Sequence, residues 1–468
     1  PAPFDFMVII LIGVWLLSGL HIPRSFTLPL CLLGMMTMGG LVAALFSDTM
    51  IPSGRHVIIS IFLYILTVGL GAFIARDPRT ALPTVMNGYM VAATIATVAG
   101  IIGYFSLIDG AHDLFTFRER ARGTFKDPNV FGPFLVVPIV YGFLSHLTGK
   151  ERLGGLQTGL LVLLGLGILL SFSRGAWVNL VMSTSIATYL LFVSVRSNGL
   201  RLKVIGLTAV LGLSGAALVV FALSFDAIAD LMSVRGQLIQ SYDTDERFAG
   251  AGIALDVILN NPFGIGSASF ENFHNAEPHN VYLYMFLISG WVGGFAFICL
   301  VLYTLYAGLR CALQDGPMRF FSIVLFSTFL ALSLEGLIVD IDHWRHFYVL
   351  MACIWGVDSY LLRARHNGKA EVGTLKRVRK IPGLTERLTA QPRGPLLKNP
   401  AIGTKPGTIA PRQAKTNKPA KLRTLREKYP AVLSEPHLTA NQPERSAFGT
   451  RNPGMSPERT AFGRRQGV

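Results

Sequence analysis

The sequence predicts an all-α polytopic membrane protein followed by a basic tail. Three observations carry this. Of 468 residues, 51% are hydrophobic and only 15% charged, whereas a soluble domain carries about 25% charged residues. The formal charge of +15 is unevenly placed: residues 363–468 hold 23 Lys/Arg against 6 Asp/Glu, and residues 1–362 hold 19 against 21. The near-neutral part also contains eleven apolar runs close to the ~20 residues a helix needs to cross a bilayer. A basic chain invites a nucleic-acid reading, but this excess lies in the tail, and no nucleic-acid partner is expected.

The runs fall at 4–20, 27–46, 57–75, 82–108, 129–148, 155–172, 176–195, 204–223, 281–308, 320–339 and 347–362. Gly155, Gly159, Gly165 and Gly167 suit close helix packing in lipid. Orientation follows Lys/Arg in short loops. Loops after odd-numbered runs hold ten, loops after even-numbered runs hold nine, and seven more lie between Arg363 and Pro382. The odd loops and the tail are therefore expected in the cytoplasm. The chain opens Pro1-Ala2-Pro3 without Met. A further span before it would give twelve and bring both termini to the cytoplasmic side, so about 11–12 spans are expected. The even loops then face outward and include the one long loop, 224–280.

Cations persist on that outer side despite the usual topology preference, which points to an anionic ligand. Arg118-Glu119-Arg120-Ala121-Arg122-Gly123-Thr124-Phe125-Lys126-Asp127-Pro128-Asn129 leads into the fifth run. Pro128 and Asn129 mark a helix start, and Arg122 and Lys126 beside free backbone N–H groups make an anion-binding mouth. The competing reading is a solvated loop with a helix cap. Arg174, between the sixth and seventh runs, either snorkels to the headgroups or serves a site.

Within the long loop, residues 225–232 have amphipathic helical spacing suited to a membrane surface. Asp245-Glu246-Arg247 opens a helix reaching about Leu259, ended by Asn260-Asn261-Pro262, with a tight turn over Pro262–Gly266. Arg247 is either an ion-paired helix residue or a ligand for an anion. Pro278-His279-Asn280 opens the ninth run. A His at the aqueous boundary titrates near neutrality and suits a general base, and Asn280 can orient the ring or a hydroxyl. Asp340-Ile341-Asp342-His343-Trp344-Arg345-His346 forms the last outer turn. With His274 and His279 it gathers carboxylates and imidazoles, but in a spacing that fits no metal motif; an ion-paired structural turn is expected, with no metal. Cys31, Cys299, Cys311 and Cys353 have no CxxC spacing and read as small hydrophobic residues.

Arg122-Gly123-Thr124-Phe125 through Asp127-Pro128-Asn129, then Ser173-Arg174-Gly175, then His279-Asn280 followed by Gly290 and Gly293, together resemble the O-antigen ligase and Wzy-type polysaccharide polymerase superfamily. The likeness covers roughly Thr116 to Asp342. It implies a GT-C-like membrane glycosyltransferase domain over 1–362 with a large periplasmic loop at 224–280. It also implies an undecaprenyl-diphosphate-linked glycan donor, a glycan or lipid A–core acceptor, contact with membrane lipids, and no cofactor or divalent metal. On the matching positions, Arg174, Arg247 and His279 are expected to be catalytic. Arg122, Lys126 and Asn280 are expected to bind substrate. The expected location is the bacterial inner membrane. The second reading is a transporter or flippase for an anionic or lipid-linked solute. It requires charges at mid-membrane and inverted repeats, whereas here Glu335 is the clearest charge within a run and no repeat of spans is found.

Residues 363–468 hold 12 of the 25 Pro and three aromatics and are expected to remain a disordered cytoplasmic tail. Its stretch from Lys376 to Lys380 suits anionic headgroups. Pro443–Gly449 recurs as Pro457–Gly463, fourteen residues later, read as local duplication or as a docking motif for a cytoplasmic partner.

Overall fold

A computed structural model describes residues 3–149, 155–195, 198–199, 201–202, 205–206, 244–273 and 278–379. All but residues 205–206 of the expected eighth span, the amphipathic segment 225–232, His274, Lys380 and the tail repeat lie outside the described residues.

The described chain is helical apart from one short hairpin. In order come α1 (Pro3–Leu17), α2 (Thr27–Leu45), α3 (Met50–Arg76), α4 (Pro78–Tyr104), α5 (Ala111–Phe115), strands β1 (Thr116–Phe117) and β2 (Arg120–Ala121), α6 (Pro128–Leu147), α7 (Gly155–Ser171), α8 (Arg174–Ser194), α9 (Thr244–Asn260), α10 (Val281–Leu313), α11 (Arg319–Glu335) and α12 (Arg345–Arg379). Ten of the eleven expected spans fall on helices. Among the described residues, seven helices are long and apolar enough to cross a membrane: Arg24–Leu45, α3, α4, α6, α8, α10 and Arg345–His366. The protein is an all-α, multi-pass membrane protein.

The other three expected spans coincide with α1, α7 and α11, of 15, 17 and 17 residues. At 1.5 Å per residue such helices are about 22–26 Å long, shorter than the ~30 Å hydrocarbon core. Two boundaries differ most from expectation. α3 begins at Met50 rather than residue 57, because the helix continues beyond the apolar run and carries Arg55 and His56 in its first two turns. α12 passes the apolar boundary at Leu362 and runs to Arg379. No proline interrupts it, and the next one is Pro382.

The core is aromatic and aliphatic. Phe26, Phe131, Phe297, Phe329, Phe347, Tyr348 and Trp355 are fully buried, with Phe329 stacked on Phe347 at 5.2 Å and Phe26 edge-on to Trp355 at 5.9 Å. α10 is the central element, lying along α2 and against α11 and α12, while α3 lies along α12 and α8 along α11. Small residues permit the α2–α10 contact: a Cβ on Gly39 would stand 2.3 Å from the Ser289 carbonyl oxygen. Of the four glycines expected at helix contacts, Gly167 is closely approached, by Thr97 and Leu135. Gly155, Gly159 and Gly165 have nothing within 4 Å of a built Cβ.

α10 is broken at Gly290, whose φ of 65° and ψ of −171° belong to a region only glycine adopts readily. The turn after α9 fills the break: the Trp291 N–H donates to the Pro262 carbonyl at 2.9 Å, and the Ile265 N–H to the Leu287 carbonyl at 2.7 Å. A Cβ at Gly290 would lie 2.6 Å from the Pro262 oxygen. Gly290→Ala is therefore expected to destabilise the fold by about 1–3 kcal/mol, read as a lower thermal midpoint of the detergent-solubilised protein. An unchanged midpoint contradicts this account of the kink.

Candidate functional site

The starts of α3, α6, α8, α10 and α12 and the ends of α2, α4, α7 and α11 meet at one end of the bundle, where hydrogen bonds and close contacts join them. The β1–β2 hairpin turns through Arg118 and Glu119, both at positive φ. The Arg120 Nε–H donates to the Ser171 carbonyl at 2.8 Å and a second guanidinium N–H to Asn129 Oδ1 at 2.7 Å. Arg120 thus ties the hairpin to the end of α7 and the start of α6. Gly132 of α6 lies against Ser171, Ser173 and Ala176, so α6 and α8 start side by side.

Arg122, expected to bind substrate, directs its guanidinium N–H groups to the carbonyls of Lys126 (3.4 Å) and Asp113 (3.0 Å). The α6 N-terminus carries the chain's own anion: the Asp127 carboxylate caps it, accepting from the Asn129 N–H at 2.6 Å. The expected mouth of free N–H groups is therefore partly filled by Asp127. Lys126 is exposed beside it.

Arg174 is the first residue of α8, and its side chain is exposed. Ser173 caps the helix, accepting from the Ala176 N–H at 3.3 Å. Among the described residues Arg174 makes no hydrogen bond or ion pair. A cation at the positive end of a helix dipole is poorly placed for the helix and well placed for an anion. The buried carboxylate of Glu335 stands behind this turn. Its Oε2 accepts from Asn179 Nδ2 at 2.7 Å, and its Oε1 has no hydrogen-bond partner. A Cβ on Gly175 would lie 2.6 Å from that Oε1.

The start of α10 is fixed twice. Asn280 Oδ1 accepts from the Tyr282 and Leu283 N–H groups at 3.0 and 3.2 Å, and the Val281 N–H donates to the Gly336 carbonyl at 2.9 Å. Asn280 thus acts as a helix cap, its oxygen engaged by backbone. The adjacent His279 is held at φ 46°, and its Nδ1 lies 3.9 Å from Asp340 Oδ2, at ion-pair rather than hydrogen-bond distance. The structure therefore pairs His279 with a carboxylate that sequence reading had placed only in a structural turn. Arg247 stands in the first turn of α9; its side chain lies outside the described residues.

A second cluster adjoins the first. His56 of α3 meets Asp342 and His343 of the α11–α12 loop, with ligand atoms all within 4.8 Å of one another. Burial pushes the His343 imidazole down to about 4, so it is neutral at neutral pH. Burial works to raise the Asp342 carboxyl, but the imidazoles of His343 and His56 outweigh it and hold the group below its ordinary range. The Asp342–His343 half was visible as a turn rich in titratable residues. His56 was missed because nothing local marks it, at the start of a helix far away in sequence.

These features define a multi-pass helical membrane protein with exposed and partly buried cations, an imidazole and a carboxylate gathered at one end. Residues 159–298 match the family model described as O-Antigen ligase, in agreement with the motif resemblance. The match includes Arg174, Arg247 and His279. The match supports glycan transfer of the O-antigen ligase and polymerase type in general terms. A search of curated proteins finds no match to the sequence.

Arg120→Ala removes both ties among the hairpin, α7 and α6. It is expected to lower the thermal midpoint and to increase protease cleavage near the hairpin. Arg120→Lys restores little, since an ammonium cannot reproduce the two-pronged geometry. Full rescue by Lys contradicts the clamp.

Proposed function

We propose that the protein transfers a glycan from undecaprenyl diphosphate to an acceptor hydroxyl, at the periplasmic face of the bacterial inner membrane. The observation that supports it most is the O-antigen ligase match over residues 159–298, which covers both Arg174 at the α8 N-terminus and His279 opposite Asp340.

In this reading His279 takes the acceptor proton as general base. Asp340 faces its Nδ1, which favours the tautomer with Nε2 open to the hydroxyl and stabilises the imidazolium formed. The hydroxyl oxygen attacks the anomeric carbon, the bond to the diphosphate oxygen breaks, and direct displacement inverts the anomeric centre. Arg174 and Arg247 hold the diphosphate and stabilise the charge that develops as it leaves. Lys126 adds positive potential, and Arg122 acts mainly by shaping the loop that carries Lys126. Diphosphate is already a good leaving group, so the transfer step is assigned to cations of the chain. The α9 segment is assigned to cover the site. The C-terminus is assigned to the cytoplasm, with the membrane-proximal basic stretch, Lys376 to Lys380 especially, against anionic headgroups.

Arg174→Ala, Arg247→Ala and His279→Ala are each expected to abolish glycan transfer while leaving membrane insertion intact, measured by product gels and membrane fractionation. Wild-type transfer by an Arg247→Ala/His279→Ala double variant overturns the assignment. Products in a deletion strain separate the two acceptors. Single repeats retained with chain length lost indicates polymerase. Full-length chains accumulating on the polyprenyl carrier indicates ligase.

A further inference from the structure

We propose that His56, Asp342 and His343 form a binding site for one first-row transition-metal ion of the Zn2+ class, clamping the start of α3 to the α11–α12 loop. The site is distinct from the residues assigned to transfer, and its test does not depend on that assignment.

The donor atoms converge from two separate parts of the chain. His56 Nε2 lies 3.1 Å from Asp342 Oδ2, and His343 Nε2 lies 3.8 Å from the same oxygen. The two imidazoles overlap with centroids 4.0 Å apart and planes 31° apart, which brings both Nε2 atoms to one carboxylate oxygen. A purely ion-paired turn would aim an imidazole N–H at that oxygen. Here His56 Nε2 and Asp342 Oδ2 are both buried and 3.1 Å apart, close enough to pair but out of line for a well-aligned hydrogen bond. A buried imidazole nitrogen and carboxylate oxygen that meet out of line leave lone pairs that a shared ion beside them can take up.

An ion fits the spacing with modest closure. Zn–N and Zn–O bonds of about 2.0–2.2 Å in a tetrahedron set donors about 3.3–3.5 Å apart. The observed 3.1 and 3.8 Å straddle that value. All the donor pairs lie within 4.8 Å, so the widest gap closes by no more than about 1.5 Å. Two imidazoles and one carboxylate suit a borderline metal rather than Ca2+ or Mg2+, which prefer oxygen. Surrounding groups hold the donors in place. The Tyr348 hydroxyl donates to the Asp342 carbonyl at 2.6 Å, the Ser60 hydroxyl donates to the His56 carbonyl at 3.0 Å, and the Tyr284 ring meets His56 edge-on at 5.9 Å. Ser60 Oγ also lies 3.0 Å from His343 Nε2. That contact gives way when the nitrogen turns its lone pair to the ion. Three protein donors leave a fourth position for water or Ser60.

The test uses the full chain in nanodiscs, purified without a histidine tag, stripped with chelator and equilibrated with Zn2+. Elemental analysis is expected to give about one Zn2+ per chain, and thermal unfolding a higher midpoint with Zn2+ than with Mg2+. Asp342→Asn and His56→Gln/His343→Gln are expected to bind less than one tenth as much and to lose the Zn2+-dependent shift. His279→Ala is expected to retain both. Should the variants fail to fold, Co2+ added to the wild-type protein still decides the matter, because nitrogen–oxygen coordination at low coordination number gives visible ligand-field absorption. Zn2+ uptake by wild type no greater than by the double variant, loss of the ion in His279→Ala, or a Co2+ spectrum identical to aqueous Co2+ overturns the proposal.

Discussion

The arrangement depends on how α10 begins. In a bilayer every backbone N–H must find a partner within the protein or at the interface, and the first turn of a helix has several without one. Here Asn280 satisfies two of them and the Gly336 carbonyl a third. That third bond joins the start of α10 to the end of α11. It thereby brings His279, one residue before the cap, opposite Asp340, a few residues after Gly336. The same junction carries Glu335 against Gly175 behind the α8 N-terminus. One capping arrangement thus gathers the imidazole, its carboxylate and the Arg174 helix start at one end of the bundle.

The rest of α10 holds that junction in register. Its break at Gly290 receives the turn after α9, so the helix bearing Arg247 and the helix following His279 are fastened together. Farther along, Arg310 pairs with the buried Asp358 of α12, and the Trp355 indole donates to Thr304 at 2.9 Å. Polar contacts of this kind inside a helical bundle fix which faces meet, where apolar surface alone would let helices slide.

Much of the fold was legible because hydropathy reports directly on bilayer-crossing helices. The starts of α6 and α10 were legible too, since Pro128 and Asn129 mark one and Pro278-His279-Asn280 opens the other. Helix length beyond the apolar run was not. α3 begins earlier and α12 ends later because a helix does not stop where its hydrophobicity does. Side-chain roles were harder. Arg122 looked like a ligand for an anion, and only the folded loop shows its guanidinium turned to the carbonyls of Asp113 and Lys126. Asn280 was expected to bind substrate, and the structure adds a role as the α10 cap through its Oδ1. Asp340 and His56 gain their interest from partners distant in sequence, which no local pattern reveals.

Transfer of a glycan at this bundle end, from a polyprenyl diphosphate to a hydroxyl, is measured with purified protein in nanodiscs and a defined lipid-linked oligosaccharide. Glycosylated product and free polyprenyl diphosphate should form in equal amounts, with inverted anomeric configuration. Intact donor after incubation with acceptor, or donor carried across the bilayer unchanged, would contradict it.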